Sequence, residues 1–133
     1  MSQQNVQIAR KGFAAYADGG VEAALAFLAP DAVSYAFPEW VEDPVYRGHD
    51  GARKLDSVWR DNFDDFAIEL REVRDLDERV LLLGEMTGRV KGSGAPICQP
   101  IAALDSDFRE GMVGEIRYFS SWEQALKAAE LPD

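Results

Sequence analysis

Few side chains in this sequence suit the common catalytic chemistries. Of its 133 residues, one is a histidine, His49, and one is a cysteine, Cys98. Catalytic zinc sites use several histidine or thiolate ligands, and a disulfide needs a second cysteine. His49 lies between a turn and a helix start, where we expect a surface position, and Cys98 has no activating base nearby in sequence. The sequence therefore predicts no metal site and no cofactor.

The charge balance narrows the choice of partners. The chain has 14 Lys and Arg against 24 Asp and Glu, a formal net charge of −10, while 47% of its residues are hydrophobic. Nucleic acids and anionic membranes repel such a surface. The N-terminus has no apolar stretch for a signal peptide, and the longest aliphatic run is Val80 to Leu83. We expect one cytoplasmic domain over residues 1–133, with neither a nucleic acid nor a membrane as partner.

The first half of the chain predicts three helices. Apolar side chains three and four residues apart mark one helix face over residues 5–17, and the glycine pair ending at Gly20 interrupts the pattern. A second helical pattern follows and ends at Pro30. Asp50 is the predicted N-cap of a third helix, whose apolar face ends at Phe63. Helices are thus expected to precede the main sheet.

The second half predicts long strands joined by short turns. A short strand at residues 33–37 precedes them, alternation begins near Phe66, and the later strands cover residues 79–91, 96–108 and 113–120. A β-bulge near Asp105 to Asp107 explains the less regular alternation there, and we interpret both aspartates as structural. Ser120 or Ser121 caps a last helix. This order predicts an α+β fold in which a curled antiparallel meander and its helices enclose a pocket.

Several motifs in order resemble the SnoaL-like branch of the NTF2-like (nuclear transport factor 2-like) superfamily. They lie at residues 20–31, Pro38 to Trp40, Tyr46 to His49, Trp59 with Phe63 to Phe66, Gln99-Pro100, and Glu123 to Leu131. The resemblance implies a cone in which N-terminal helices pack on a strongly curved, mostly antiparallel sheet, with a short C-terminal helix. It also implies a homodimer through the outer face of the sheet. The superfamily includes polyketide cyclases, ketosteroid isomerases and epoxide hydrolases, so the fold alone does not define the function.

The strand over residues 79–91 supports two covered faces. One face holds Val80, Leu82, Met86 and Val90. The other holds Leu81, Leu83, Glu85, Thr87 and Arg89. Because both faces are partly apolar, we expect one to line the pocket and the other to meet a partner sheet.

Ketosteroid isomerase chemistry needs a carboxylate base, a tyrosine and a protonated aspartate. Placed by the resemblance, the tyrosine position falls on Gly12 and the base on Ala36. The aspartate position falls on Ala103 or Leu104. None of these side chains can transfer a proton, and a rearranged site that uses Tyr16, one helical turn on, or Tyr35, next to Ala36, stays open.

The acid–base trio of the epoxide-hydrolase-like enzymes falls on Glu85 and Thr87 and near Arg117. The trio is therefore absent as such. These three residues could still form a reordered acid–base set, and the alternative is a simple ion pair without chemistry. A cyclase needs only one carboxylate, for which Glu85 or Glu115 could serve. The enzymatic hypothesis predicts that Glu85 is buried at the pocket floor.

Aromatic residues fall on the segments that surround the pocket in this fold. The predicted ligand-binding residues are Tyr16, Tyr35, Trp40, Trp59, Phe63 and Phe119. Such a lining suits a flat, apolar ring compound. The leading hypothesis is a protein that binds a small, apolar, ring-containing molecule. The alternatives are a cofactor-free cyclase, isomerase or epoxide-hydrolase-type enzyme and a dimeric protein-interaction module.

Overall fold

The computed structural model of the chain describes residues 2–37 and 45–130. Its helices are α1 (Ser2–Ala24), α2 (Gly48–Asn62) and α3 (Trp122–Glu130), with one turn of 3-10 helix at Leu25–Phe27. Its strands are β1 (Leu28–Tyr35), β2 (Val45–Arg47), β3 (Phe63–Asp75), β4 (Val80–Val90), β5 (Pro96–Ser106) and β6 (Val113–Phe119). The α+β class and the NTF2-like cone are confirmed. None of the described helices is both long and apolar enough to cross a membrane.

All six strands form one sheet in the order β2-β1-β6-β5-β4-β3. The last four strands form the predicted antiparallel meander, and β1 pairs parallel to β6. Every residue from Pro96 to Asp105 has a partner in β4, so the predicted bulge near Asp105 is wrong. The irregularities lie instead in β3, between Asp64 and Ala67 and between Leu70 and Glu72.

The predicted break in the first helix is present at Gly20, whose φ of 79° and ψ of −167° are not helical. A residue without a Cβ adopts this left-handed φ at little cost. Pro30 does not end the second helix, because the chain has already passed into β1 at Leu28.

Two predicted helix caps have different outcomes. α2 begins at Gly48, and Arg47 takes the cap position without a side-chain hydrogen bond. Asp50 lies in the first turn, where it pairs with Arg53 at 2.8 Å, so its prediction as the cap was wrong. At the last helix, the Gln124 amide donates to the Ser121 hydroxyl at 3.3 Å, which selects Ser121 between the two predicted serines.

The two faces of β4 pack against different helices. Val80 and Leu82 form a cluster with Ala9 of α1. Leu81 and Leu83 pack against α3, and the Trp122 indole N–H donates to the Gly84 carbonyl at 2.9 Å. At this place the C-terminal helix of the same chain covers the outer face that was expected to meet a partner sheet.

Candidate functional site

A cavity of about 160 Å³ lies between α1, α2 and the inner face of the sheet. Its apolar walls include Ile8, Ala9, Gly12, Phe13, Val21, Leu55, Trp59, Ile68, Leu82, Ile101 and Val113. An engineered apolar cavity of about 150 Å³ in another protein binds benzene. The space therefore suits a molecule built on one six-membered ring.

A few polar side chains interrupt this apolar lining. They are Tyr16, Ser34, Asp56, Asp105 and Tyr118. No lysine, arginine or histidine is among the described residues that line the cavity. The ionisable groups of this lining are therefore two carboxyls and two phenols.

Asp105 reaches the cavity because of its phase in β5. It follows Ile101 and Ala103 at intervals of two, and all three line the cavity. Its residue is 4% exposed, and its Oδ1 has no hydrogen-bond partner among the described residues. Burial raises the pKa of Asp105 from 3.8 to about 7. Near neutral pH this carboxyl can both donate and accept a proton.

Tyr118 lies beside Asp105 on the neighbouring strand. It is opposite Ala103, while Asp105 is opposite Ile116. Its ring meets Trp59 edge to face, with 5.2 Å between the ring centroids. Burial, followed by the nearby Asp105 carboxyl, raises the pKa of Tyr118. The phenol therefore stays protonated and can donate a hydrogen bond.

The second carboxyl of the lining, Asp56, already has partners. The Tyr16 hydroxyl donates to Asp56 Oδ1 at 2.5 Å, and Arg60 Nε donates to Asp56 Oδ2 at 3.0 Å. The Arg60 guanidinium also lies 5.7 Å from the centroid of the Tyr16 ring. Burial and this hydrogen bond to Asp56 raise the pKa of Tyr16. Asp105 is thus the lining carboxyl left for a ligand.

The predicted position of Glu85 at the pocket floor is not what the structure shows. The Glu85 side chain is 37% exposed and accepts a hydrogen bond from Arg71 Nη2 at 2.7 Å. It lies on the face of β4 opposite to Leu82 and Met86, so it does not line the cavity. The predicted division of the β4 residues between two faces was correct, but Glu85 lies on the outer face and not on the face that lines the cavity.

Thr87 and Arg117 do not join Glu85 in a common site. Thr87 is opposite Cys98, on the same outer face. The Arg117 guanidinium lies 4.0 Å from the Tyr35 ring centroid and pairs with Glu115 at 3.2 Å. Glu85 faces Pro100 and Arg117 faces Leu104, which separates their Cα atoms by roughly 16 Å across two strand spacings and four residues.

The predicted aromatic residues divide into three groups. Tyr16 and Trp59 line the cavity. Tyr35 and Phe119 line a separate, open groove, and Phe63 stacks on Phe66 with 6.5 Å between the centroids. Trp40 lies outside the described residues.

The residues that sequence reasoning missed are Asp56, Asp105 and Tyr118. Asp105 had a readable signal, because an acid in phase with Ile101 and Ala103 shares their face. The predicted bulge interrupted this alternation, so Asp105 was not assigned to the face of Ile101 and Ala103 and was interpreted as structural. Tyr118 and Asp56 gave no comparable signal, since a tyrosine in a strand and an aspartate on an amphipathic helix are common.

The positions assigned by resemblance to isomerase chemistry do not all line the cavity, because Ala36 and Leu104 line the separate, open groove. Gly12 and Ala103 line the cavity, and Ala36 is buried in the cluster that contains Trp59. None of them carries an acid or a phenol. Asp105, two residues beyond Ala103 on the same face, supplies a carboxyl to the same cavity. Within residues 2–37 and 45–130, no group of three His, Cys, Asp or Glu side chains could hold a metal ion.

Comparison with known proteins defines the family. A profile of the SnoaL-like domain matches residues 9–113, so the chain belongs to the SnoaL-like domain family. No curated protein gives a significant match.

Solved structures share the fold over nearly the whole chain. An NTF2-like protein from Burkholderia xenovorans LB400 is 28% identical, with a TM-score of 0.71 and coverage of 96% of this chain and 97% of that one. A proposed SnoaL-like polyketide cyclase from Jannaschia sp. CCS1 is 20% identical, with a TM-score of 0.75 and coverage of 98% and 94%. A protein with a ketosteroid isomerase-like fold from Catenulispora acidiphila, in complex with trimethylamine, is 16% identical, with a TM-score of 0.71 and coverage of 94% and 93%.

Proposed function

We propose that this SnoaL-like protein binds a small, apolar molecule built on one ring in the cavity between α1, α2 and the sheet. The observation that carries the proposal is the cavity itself, about 160 Å³ with walls that are almost wholly apolar. Trp59 and Tyr118, whose rings meet edge to face, add aromatic surface to these walls. The structure of the Catenulispora protein with trimethylamine is consistent with small ligands in this fold.

Toluene is a suitable probe because it consists of one ring and a methyl group. Ala103 lines the cavity, so Ala103→Leu fills it, whereas Ala14 is an exposed residue of α1 and Ala14→Leu is the matched control. By ligand-observed NMR, toluene should bind the wild type and Ala14→Leu, and bind Ala103→Leu at least about tenfold more weakly. Absence of binding to the wild type, or equal binding to Ala103→Leu, contradicts the proposal.

A second candidate function is cofactor-free acid–base catalysis, as in a cyclase, isomerase or hydrolase. It is favoured by the buried Asp105 carboxyl, whose Oδ1 has no partner among the described residues and whose pKa of about 7 matches that of an efficient general acid or base. Tyr118 could donate a hydrogen bond to a carbonyl oxygen while Asp105 exchanges a proton with the adjacent carbon. The likeness to the Jannaschia protein supports this class of reaction. Asp105 replaces Glu85 as the acting carboxyl.

Proton exchange tests this candidate without knowledge of the natural substrate. In D2O, the protein should accelerate deuterium incorporation next to the carbonyl of cyclohexanone, as followed by NMR. Asp105→Asn should abolish the acceleration, and Glu85→Gln, which alters an outer-face carboxyl, should retain it. If Asp105→Asn exchanges the ketone as fast as the wild type, Asp105 is not the base.

The homodimer through the outer sheet face is a further part of our proposal. Ala67, Thr87 and Cys98 lie side by side across three strands of that face, and their small side chains leave room for a close approach of a second sheet. Sedimentation equilibrium should give a dimer whose formation protects the exposed Cys98 thiol from a thiol reagent. A monomer would favour the protein-interaction module instead.

A further inference from the structure

We propose that the preferred ligand of the cavity is a small organic cation, held between the Asp105 carboxylate and the aromatic walls. The inference rests on the proposed binding function and keeps the size of that ligand, but it replaces a wholly apolar molecule by one of the same size that is positively charged. The charges of the lining, the burial of Asp105 and the aromatic side chains carry it.

The charges of the lining favour a cation over an anion. Its described ionisable side chains are the carboxyls of Asp56 and Asp105 and the phenols of Tyr16 and Tyr118. The cationic group bonded to this set is Arg60, which pairs with Asp56 at 3.0 Å. An anionic ligand would enter a low-dielectric space that supplies no free counter-charge, whereas a cation would find Asp105.

Asp105 is a buried acid with one oxygen that no described residue satisfies. This oxygen is Oδ1, and the strand neighbours opposite Asp105 are Val80 and Ile116. A buried carboxylate without a counter-charge is strongly unfavourable. A bound cation supplies that counter-charge, so the binding free energy includes the relief of this penalty.

Aromatic rings are the second feature of the cavity that favours a cation. Phe13, Phe27 and Trp59 line the cavity together with the two tyrosines. The faces of such rings attract organic cations electrostatically. The protein already contains this interaction outside the cavity, where the Arg117 guanidinium lies 4.0 Å from the Tyr35 ring centroid.

The cation affinity should depend on pH through Asp105. The strand neighbours opposite it are apolar Val80 and Ile116, and Tyr118 is nearby on β6. Tyr16 from α1 and Asp56 from α2 line the same cavity. Both phenols have raised pKa values and stay neutral, and Asp56 is paired with Arg60. Asp105 is therefore the group whose charge changes near neutral pH, and only its ionised form attracts a cation.

N-methylpyridinium and toluene are the deciding probes, because they have the same shape and number of non-hydrogen atoms and differ in charge. Calorimetric titration at about pH 8.5 should show N-methylpyridinium binding at least tenfold more tightly than toluene. The preference should shrink to less than about threefold at pH 5.5, where Asp105 is protonated. It should also be lost in Asp105→Asn and retained in the control Asp107→Asn, since Asp107 pairs with Arg109 at an exposed position.

The possible failures are distinguishable. If toluene binds the wild type as tightly as N-methylpyridinium at the higher pH, the cation inference is wrong and the binding function stands. A cation preference that does not change with pH also overturns the role of Asp105, even if Asp105→Asn fails to fold. If neither probe binds, the proposed function fails together with the inference.

Discussion

Asp105 on β5 and Tyr118 on β6 lie diagonally across one strand pair and line the same apolar cavity. Tyr118 is opposite Ala103, two residues before Asp105, so the two side chains share the inner face of the sheet. The charge of Asp105 contributes to the raised pKa of Tyr118. The sheet thereby places a carboxyl that titrates near neutral pH beside a phenol that stays protonated.

Asp105 should make the protein less stable as the pH rises. Its pKa is about 7 in the folded state against 3.8 ordinarily, so the folded state binds more protons between these values. The contribution of Asp105 to the free energy of unfolding is fully present below about pH 4 and is lost as the pH rises through 7. Urea unfolding should show that the advantage of Asp105→Asn over the wild type grows by roughly 2–3 kcal/mol between pH 5 and pH 8.

The matched control for this measurement is Asp107→Asn. Asp107 is exposed and pairs with Arg109 at 3.2 Å. Its substitution should change stability by less than about 1 kcal/mol. An Asp105→Asn advantage that is independent of pH would show that the carboxyl is not titrating in the cavity.

The hydrogen bond between Tyr16 and Asp56 should appear as an energetic coupling. Tyr16→Phe removes the donor and Asp56→Ala removes the acceptor of a partly buried bond of 2.5 Å. The double variant should be more stable than the sum of the single effects predicts, by about 1–3 kcal/mol in urea unfolding. The exposed pair of Arg71 and Glu85 is the control, with an expected coupling below about 1 kcal/mol. Strict additivity at Tyr16 and Asp56 would argue against the network.

Two glycines that line the cavity should respond oppositely to substitution by alanine. A Cβ at Gly84 would lie 2.5 Å from the Glu69 carbonyl oxygen, so β3 and β4 would have to separate. Gly84→Ala should cost about 1–3 kcal/mol. At Gly12 the Cβ would meet Phe27 at an ordinary 3.4 Å, and the change should stabilise α1 by up to about 1 kcal/mol. Thermal unfolding of both variants checks the packing, and destabilisation by Gly12→Ala would contradict it.

Substitution of the outer-face residues should leave ligand binding unchanged. Glu85 binds Arg71, and Thr87 faces Cys98, so neither lines the cavity. Glu85→Gln and Thr87→Val should bind toluene within about twofold of the wild type, because no cavity contact is altered. A loss of binding as large as that expected for Ala103→Leu would restore the site predicted from sequence.

The sequence was informative where a local pattern determines the structure. The glycine pair predicted the break at Gly20, and the alternation of apolar and polar residues predicted the meander. Ser121 was one of the two predicted caps of the last helix. The placement of Tyr16 and Trp59 at the cavity followed from the resemblance. These features depend on backbone conformation or on the general shape of the fold.

The carboxyl that lines the cavity could not be assigned in the same way. The period of β4 separates its two faces, but it does not say which face lies inside, and Glu85 was placed on the wrong one. At the end of β5 a regular pairing was mistaken for a bulge, which concealed Asp105. Burial of an acid depends on the helices packed over it, and the strand pattern contains no information on them.

Carbon-13 NMR titration of the Asp105 side-chain carboxyl, alone and with saturating toluene, tests the central claim most directly. In the free protein the midpoint should lie near 7, because burial disfavours the charged form. Toluene should move the midpoint higher by displacing water from the cavity. A midpoint near the ordinary 3.8, unchanged by toluene, would contradict a buried, unpartnered acid in a ligand-binding cavity.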